Sequence, residues 1–260
     1  MPTAIYIGNF GLGGSPFLFG LLRRLRETWG DDFYQKMTWF CEGFNVIFII
    51  QLLCGHSIEK LERGYKSIVK QMHKRNNYCL GQNIWLDMYI KYILDNETEL
   101  LVRLNHKMYI GTTFPFFQHV WYCEWQNMIE LMRCIQSSYN IPIYCGRCEM
   151  DAVNGAYSCT VHAFSSLVAN GVLLKISDNP HLSDVVCRLS PWDIYFVSKD
   201  DTLYAHYNQM GFDCLFERTS DETPSKMYDQ PIMYIIVIFC WIGKSLQIAY
   251  DYIVSEIMDE

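Results

Sequence analysis

Residues 3–22 read TAIYIGNFGLGGSPFLFGLL and residues 37–55 read MTWFCEGFNVIFIIQLLCG. Thr3–Gly8 is a short apolar run that leads into glycines, the pattern of a buried strand. Ser15-Pro16 then opens a helix, with Ser15 read as N-cap and Pro16 at its first position. Phe17, Leu18, Leu21, Leu22 and Leu25 share one helical face, and Gly30 closes the element. Met37–Cys41 reads as a second strand, and Phe44–Cys54, apolar nearly all round, as a fully buried helix ended by Gly55. Strand, glycine-rich turn, helix, strand, sharp turn and buried helix together open an α/β domain.

Further along, His56–Asn96 is helical and amphipathic, broken at Asn76-Asn77 and Gly81. Lys107–Thr113 and Phe117–Cys123 read as strands and Trp125–Tyr139 as a helix stopped at Ile141-Pro142. Strands are expected at Met150–Val153 and Val172–Ser177, and a helix at Asp200–Met210 ending at Gly211. This alternation predicts an α/β fold with a mainly parallel central sheet. Residues 1–220 form the main domain, the polar stretch 221–230 a linker, and 231–260 an apolar C-terminal helical tail. Within that tail Ile232–Ile242 holds no charge, yet eleven residues are too few to span a bilayer, which needs about 20. The tail is read either as a helix packed on the domain or as a contact with a membrane or lipid droplet.

Half of the 260 residues are apolar and 19% are charged, with a net charge of −7. Phosphate binding needs a concentrated basic surface, so no nucleic-acid partner is expected. The densest basic cluster, His73-Lys74-Arg75, reads as a polar loop. Eleven cysteines are spread evenly and Met1–Ala4 lacks a basic n-region, so the expectation is reduced thiols in a cytoplasmic protein, peripheral to membranes or lipid droplets if the tail makes that contact. Cys145-Gly-Arg-Cys148 is a lone C-x-x-C without a second ligand pair, and neither metal nor cofactor is expected.

Two chemistries use a glycine-rich turn at a helix N-terminus: one cradles phosphate, the other offers backbone N–H groups to an oxyanion. Gly11-Leu-Gly13-Gly14 spells neither G-x-G-x-x-G nor a P-loop, so nucleotide binding is not expected. The second strand–turn–helix is where a hydrolase would hold a nucleophile elbow. Here it reads Cys41-Glu42-Gly43-Phe44-Asn45, and no serine lies between Ser15 and Ser57.

From Ala4 to Gly55 the chain resembles the start of patatin-like lipases, nearest the adipose triglyceride lipase and adiponutrin branch. Gly20 matches that branch's helix glycine, and the branch's serine lies 23 residues further, which lands on Gly43. Counting back 12 residues from Gly55, which matches the glycine after the buried helix, also lands on Gly43. The likeness continues through Arg103–Thr113, Asn127–Gly146, Leu173–Val186 and Gly211–Cys214, about residues 4–218 in all. Asn154, in Val153-Asn154-Gly155-Ala156-Tyr157-Ser158, falls where the family's turn carries the dyad aspartate.

The resemblance implies a patatin-like three-layer α/β/α fold. It also implies that both dyad positions are degenerate, since glycine supplies no nucleophile and an amide no base. Gly11, Gly13 and Gly14 are remnants of the oxyanion loop, out of register with the family's glycines. The expected function is thus a non-hydrolytic domain that binds a lipid or acyl chain, a lipid surface or a lipase regulatory protein. One alternative is an active acyl-ester hydrolase, on acylglycerol or phospholipid, with Cys41 as nucleophile and Asp151 as acid. Another is a structural interaction scaffold.

Overall fold

Ala4–Ile7 is buried on both of its faces, as a central parallel strand must be. A computed structural model describes residues 2–74, 99–114, 118–140, 152–155, 173–177, 184–186, 189 and 200–214. The elements in chain order are β1 (Ala4–Ile7), α1 (Ser15–Trp29), α2 (Phe33–Lys36), β2 (Thr38–Cys41), α3 (Asn45–Leu53) and α4 (Ile58–Lys74). They continue with α5 (Leu100–Leu104), β3 (Met108–Phe114), β4 (Gln118–Tyr122), α6 (Met128–Tyr139), β5 (Val153–Asn154), β6 (Leu173–Ser177), β7 (Val185–Val186) and α7 (Asp201–Asp213). The fold is α/β. Among the described residues one sheet holds seven strands in the order β4-β3-β2-β1-β6-β7, with β5 also on β3. The β3-β2-β1-β6-β7 pairings are all parallel, while β4 and β5 run antiparallel to β3.

One face of this sheet presents Ile5, Ile7, Trp39, Cys41, Met108, Ile110 and Ile176 to the main core. Side chains from α1, α3, α4, α5 and α6 complete the same cluster. The described helices thus account for one helical layer, and the three-layer arrangement stays an implication of the resemblance. On the opposite face Ala4, Tyr6 and Phe40 pack with Tyr109, Trp121 and Leu173. Every residue of α3 is buried, so it needs no polar face. By contrast α4 buries Ile58, Leu61, Tyr65, Ile68 and Met72, a spacing of three and four that turns its charges outward. Phe19 of α1 meets Phe48 of α3 and Tyr65 of α4 edge-on, with centroids 5.0 and 5.7 Å away. Such pairs add about 0.5–1.5 kcal/mol each beyond burial.

Helices α1 and α7 touch backbone to backbone. A Cβ on Gly20 would lie 2.8 Å from the Asn208 carbonyl carbon and 2.9 Å from the Phe212 nitrogen. A Cβ on Gly211 would lie 2.8 Å from the Phe17 carbonyl carbon. The two glycines are therefore what lets the helices approach. Polar groups brace the same crossing: Arg23 pairs with Glu62 of α4 at 2.5 Å and donates to Asn208 Oδ1 at 2.9 Å. Gly211 accordingly lies inside α7, which runs on to Asp213, and is not the stop that the sequence suggested.

Two other expectations need correction. Gly14 is the N-cap of α1 and Ser15 already its first residue; the Ser15 hydroxyl does not cap but donates back to the Gly11 carbonyl at 3.4 Å. His73 and Lys74 sit in the last turn of α4, where the Lys74 charge suits the helix C-terminus, and not in a loop. Among the described residues no helix is long and apolar enough to cross a membrane. The linker 221–230 and the tail with Ile232–Ile242 lie outside the described residues, as do Asp151 and Cys145–Cys148.

Candidate functional site

Gly43 lies in the turn between β2 and α3 with φ +66°, a left-handed conformation that glycine adopts without steric cost. Its N–H donates to Ser138 Oγ of α6 at 3.1 Å, and its carbonyl accepts from Val46 N at 3.3 Å to start α3. Large side chains hold the residues that follow. The Phe44 ring stacks on Tyr139, with centroids 5.2 Å apart and planes 13° from parallel. The Asn45 amide donates to the Gly8 carbonyl, tying the turn to the end of β1.

The space in front of Gly43 is occupied. A Cβ there would overlap Asn9 Oδ1 and lie 2.5 Å from Asn9 Cγ. The same Oδ1 accepts from the Gly11 N–H at 2.9 Å, so Asn9 joins the elbow to the glycine loop. Gly11 has φ +62°, and the Gly14 N–H donates to the Phe10 carbonyl at 3.1 Å. The Gly11 and Gly14 donors are thus turned to partners inside the loop, whereas an oxyanion hole must aim them at a substrate oxygen. Gly13 is buried and borders a cavity described below.

Asn154 belongs to the short strand β5, where the sequence suggested a loop. It pairs opposite Thr112 of β3, while β2 pairs with β3 earlier, from Met108 to Ile110. Strand β4 takes the other edge of β3, so β5 occupies the lane that β2 vacates when it turns at Gly43. A Cβ on the next residue, Gly155, would lie 3.0 Å from Glu42 Oε1. Residues 111 apart in sequence are thereby brought to one end of the sheet.

Sequence reasoning missed the groups that join them. Glu42 is fully buried, and its Oε2 accepts from the Tyr6 hydroxyl at 2.8 Å. Its Oε1 lies 3.5 Å from His119 Nε2. Burial pushes His119 down to about 4, against the opposing pull of its bond to the Gly155 carbonyl, so the imidazole is neutral near pH 7. Gly111 leaves room for this carboxylate, since a Cβ there would be 2.8 Å from Glu42 Cγ. The available signal was a lone charge between an apolar strand and an apolar helix, which must find partners if buried.

Cys41, the alternative nucleophile, points into the main core with no exposed surface. Desolvation, and then the neighbouring Glu42, push its thiol well above the ordinary range. Thiolate is the nucleophile, so this environment suppresses the reactive form.

Beside Gly13 and Pro16 a cavity of about 510 Å³ opens between α4 and α7. Tyr65, Val69, Leu203, Tyr204 and Tyr207 give it an apolar wall, while Lys66, Lys70, His73 and Lys74 of α4 and Asp200 and Asp201 at the start of α7 give it charged groups of both signs. Lys66 Nζ sits 4.4 Å over the Tyr204 ring, a cation–π contact that holds the ammonium at the wall. A cavity of this size has room for a small amphiphile. The chain matches no protein-family model and no curated protein.

Proposed function

We propose that this chain is a non-hydrolytic, patatin-like domain that holds an acyl chain with an acidic head group. The observation that carries the reading is the elbow. Gly43 stands at the strand-to-helix turn where a hydrolase presents its nucleophile, and the Asn9 side chain fills the space a serine would need. The absence of a reactive group there is built into the packing: Asn9, Phe44 and Asn45 each hold partners that a working elbow would have to release. Cys41, buried and protonated, offers no substitute.

The cavity between α4 and α7 supports the binding half of the reading. An acyl chain would lie against Tyr65, Val69, Leu203 and Tyr207, and its carboxylate near Lys66, Lys70 and Lys74. Mass spectrometry of lipids extracted from the purified full chain tests this, together with titration of a fluorescent fatty acid. The expected result is a bound fatty acid or lysolipid, binding weakened at least about tenfold by Val69→Trp, and no hydrolysis of p-nitrophenyl ester, triacylglycerol or phospholipid above a heat-treated control. Ester turnover that Cys41→Ala abolishes would reverse the conclusion. Fatty-acid binding untouched by Val69→Trp would remove the cavity from it.

A further inference from the structure

At the open end of the β3–β4 hairpin, far in sequence from the glycine loop, three different donor groups converge. His106 comes from the turn before β3, and Cys123 and Glu124 from the chain leaving β4. The His106 N–H donates to the Cys123 carbonyl at 3.0 Å, and Asn105 Oδ1 accepts from Trp125 N at 3.3 Å, so two backbone-anchored bonds hold the segments together. The imidazole, thiol and carboxylate donor atoms all lie within 4.8 Å of one another.

We propose that His106, Cys123 and Glu124 form a solvent-facing zinc site. Zn–N and Zn–O bonds of about 2.0–2.1 Å at a tetrahedral angle set the two donors about 3.3 Å apart. His106 Nε2 and Glu124 Oε1 are already 3.1 Å apart. The sulfur needs to close by at most about 1.3 Å, from within 4.8 Å to the roughly 3.5 Å edge that a Zn–S bond of about 2.3 Å gives. Both the histidine and the glutamate side chains are about two-thirds exposed, so a rotation of this size meets little resistance. Imidazole with thiolate selects zinc over magnesium or calcium, which take oxygen ligands. With three protein ligands the fourth position is left to water.

Two details outside the donor set point the same way. His106 has φ +61°, the only positive value at a non-glycine among the described residues. Such backbone costs stability and persists where a side chain must be aimed. The Tyr109 side chain is hydrogen-bonded to Cys123. That is the part an outer partner plays for a metal-bound sulfur.

The test is a titration of the metal-stripped full chain with Co²⁺, followed by its thiolate-to-cobalt charge-transfer band. One equivalent should produce the band and Zn²⁺ should bleach it, while Mg²⁺ does nothing. Cys123→Ser should lose it, and His106→Ala and Glu124→Gln should each weaken binding more than about tenfold, because even outer-partner changes cost about 10–100-fold. His106→Gly separates a ligand from a structural residue: the apo protein should melt higher, because glycine relieves the positive φ, yet the zinc-induced rise in Tm should vanish. A band that survives Cys123→Ser, no band in the unaltered chain, or an undiminished zinc shift in His106→Gly would each overturn the site.

Discussion

Replacing Gly43 by alanine measures how firmly the elbow is closed. An L-residue at φ +66° costs about 1–2 kcal/mol in the left-handed region. The new methyl group also displaces the Asn9 amide, which breaks the 2.9 Å bond from the Gly11 N–H. A net hydrogen bond is worth about 0.5–1.5 kcal/mol, so Gly43→Ala should destabilise the protein by about 1.5–3.5 kcal/mol. Asn9→Ala alone should cost only the hydrogen bond, about 0.5–1.5 kcal/mol. With Asn9 already truncated only its Cβ, 3.1 Å away, still crowds the methyl group, and the second step should cost little beyond the backbone strain. The double variant is then more stable than the sum of the singles predicts, by about 0.5–1.5 kcal/mol. Urea denaturation followed by tryptophan fluorescence gives all four corners of the cycle. A cost below about 0.5 kcal/mol for Gly43→Ala would contradict the left-handed turn, and strict additivity would contradict the packing of the Asn9 side chain against Gly43.

Gly43→Ser combined with Asn154→Asp should still give no esterase turnover, because Asn9 obstructs the hydroxyl and the loop donors are engaged; one lost oxyanion donor already costs about 10²–10³ in rate. Robust turnover would mean that the elbow opens freely. His119, held down to about 4 against 6.5 unfolded, lets the unfolded chain take up its proton first. Its contribution is therefore complete above pH 6.5 and lost as pH falls towards 4, on the order of 3 kcal/mol. Stability curves at pH 7 and 4.5 should show His119→Gln losing less on acidification than the unaltered chain; equal losses would assign the acid sensitivity elsewhere. Gly20→Ala and Gly211→Ala force a methyl group into the opposing helix backbone and should each cost about 1–3 kcal/mol or more in chemical denaturation, whereas Gly30→Ala, open to solvent, should show only the cost of its positive φ.

The beginning of the fold was legible because its signals are local. A buried parallel strand is a short apolar run, and α3 is an apolar run too long for a strand, so β1, β2 and α3 fall within a residue or two of their expected bounds. The sharp turn at Gly43 was legible as the short break between the apolar runs of β2 and α3. What was misread depended on partners distant in sequence. Gly211 looked like a helix stop because nothing nearby reveals that α1 lies against it. Asn154 looked like a turn residue because its pairing partner, Thr112, lies far upstream. Glu42 and His119 are 77 positions apart, and their meeting follows only from the register that sets β3 between β2 and β4. Asn9 gave no sign of its role, because an asparagine before a glycine loop ordinarily reads as turn chemistry alone.

The clasp between α1 and α7 also sets a timetable. Arg23 and Asn208 bond across 185 residues, and the face of α1 that carries Gly20 has its backbone partner on α7 alone among the described elements. During synthesis at about 5–20 residues per second, that face waits roughly 10–40 s for its cover to leave the ribosome. Contacts of such sequence separation slow folding, because the intervening loop must close before they repay its entropy. A nascent chain stopped before residue 200 would hold much of the central sheet, yet expose the groove on α1 to chaperones or to other nascent chains. Pulse proteolysis of stalled chains should accordingly find α1 protected only after α7 has emerged.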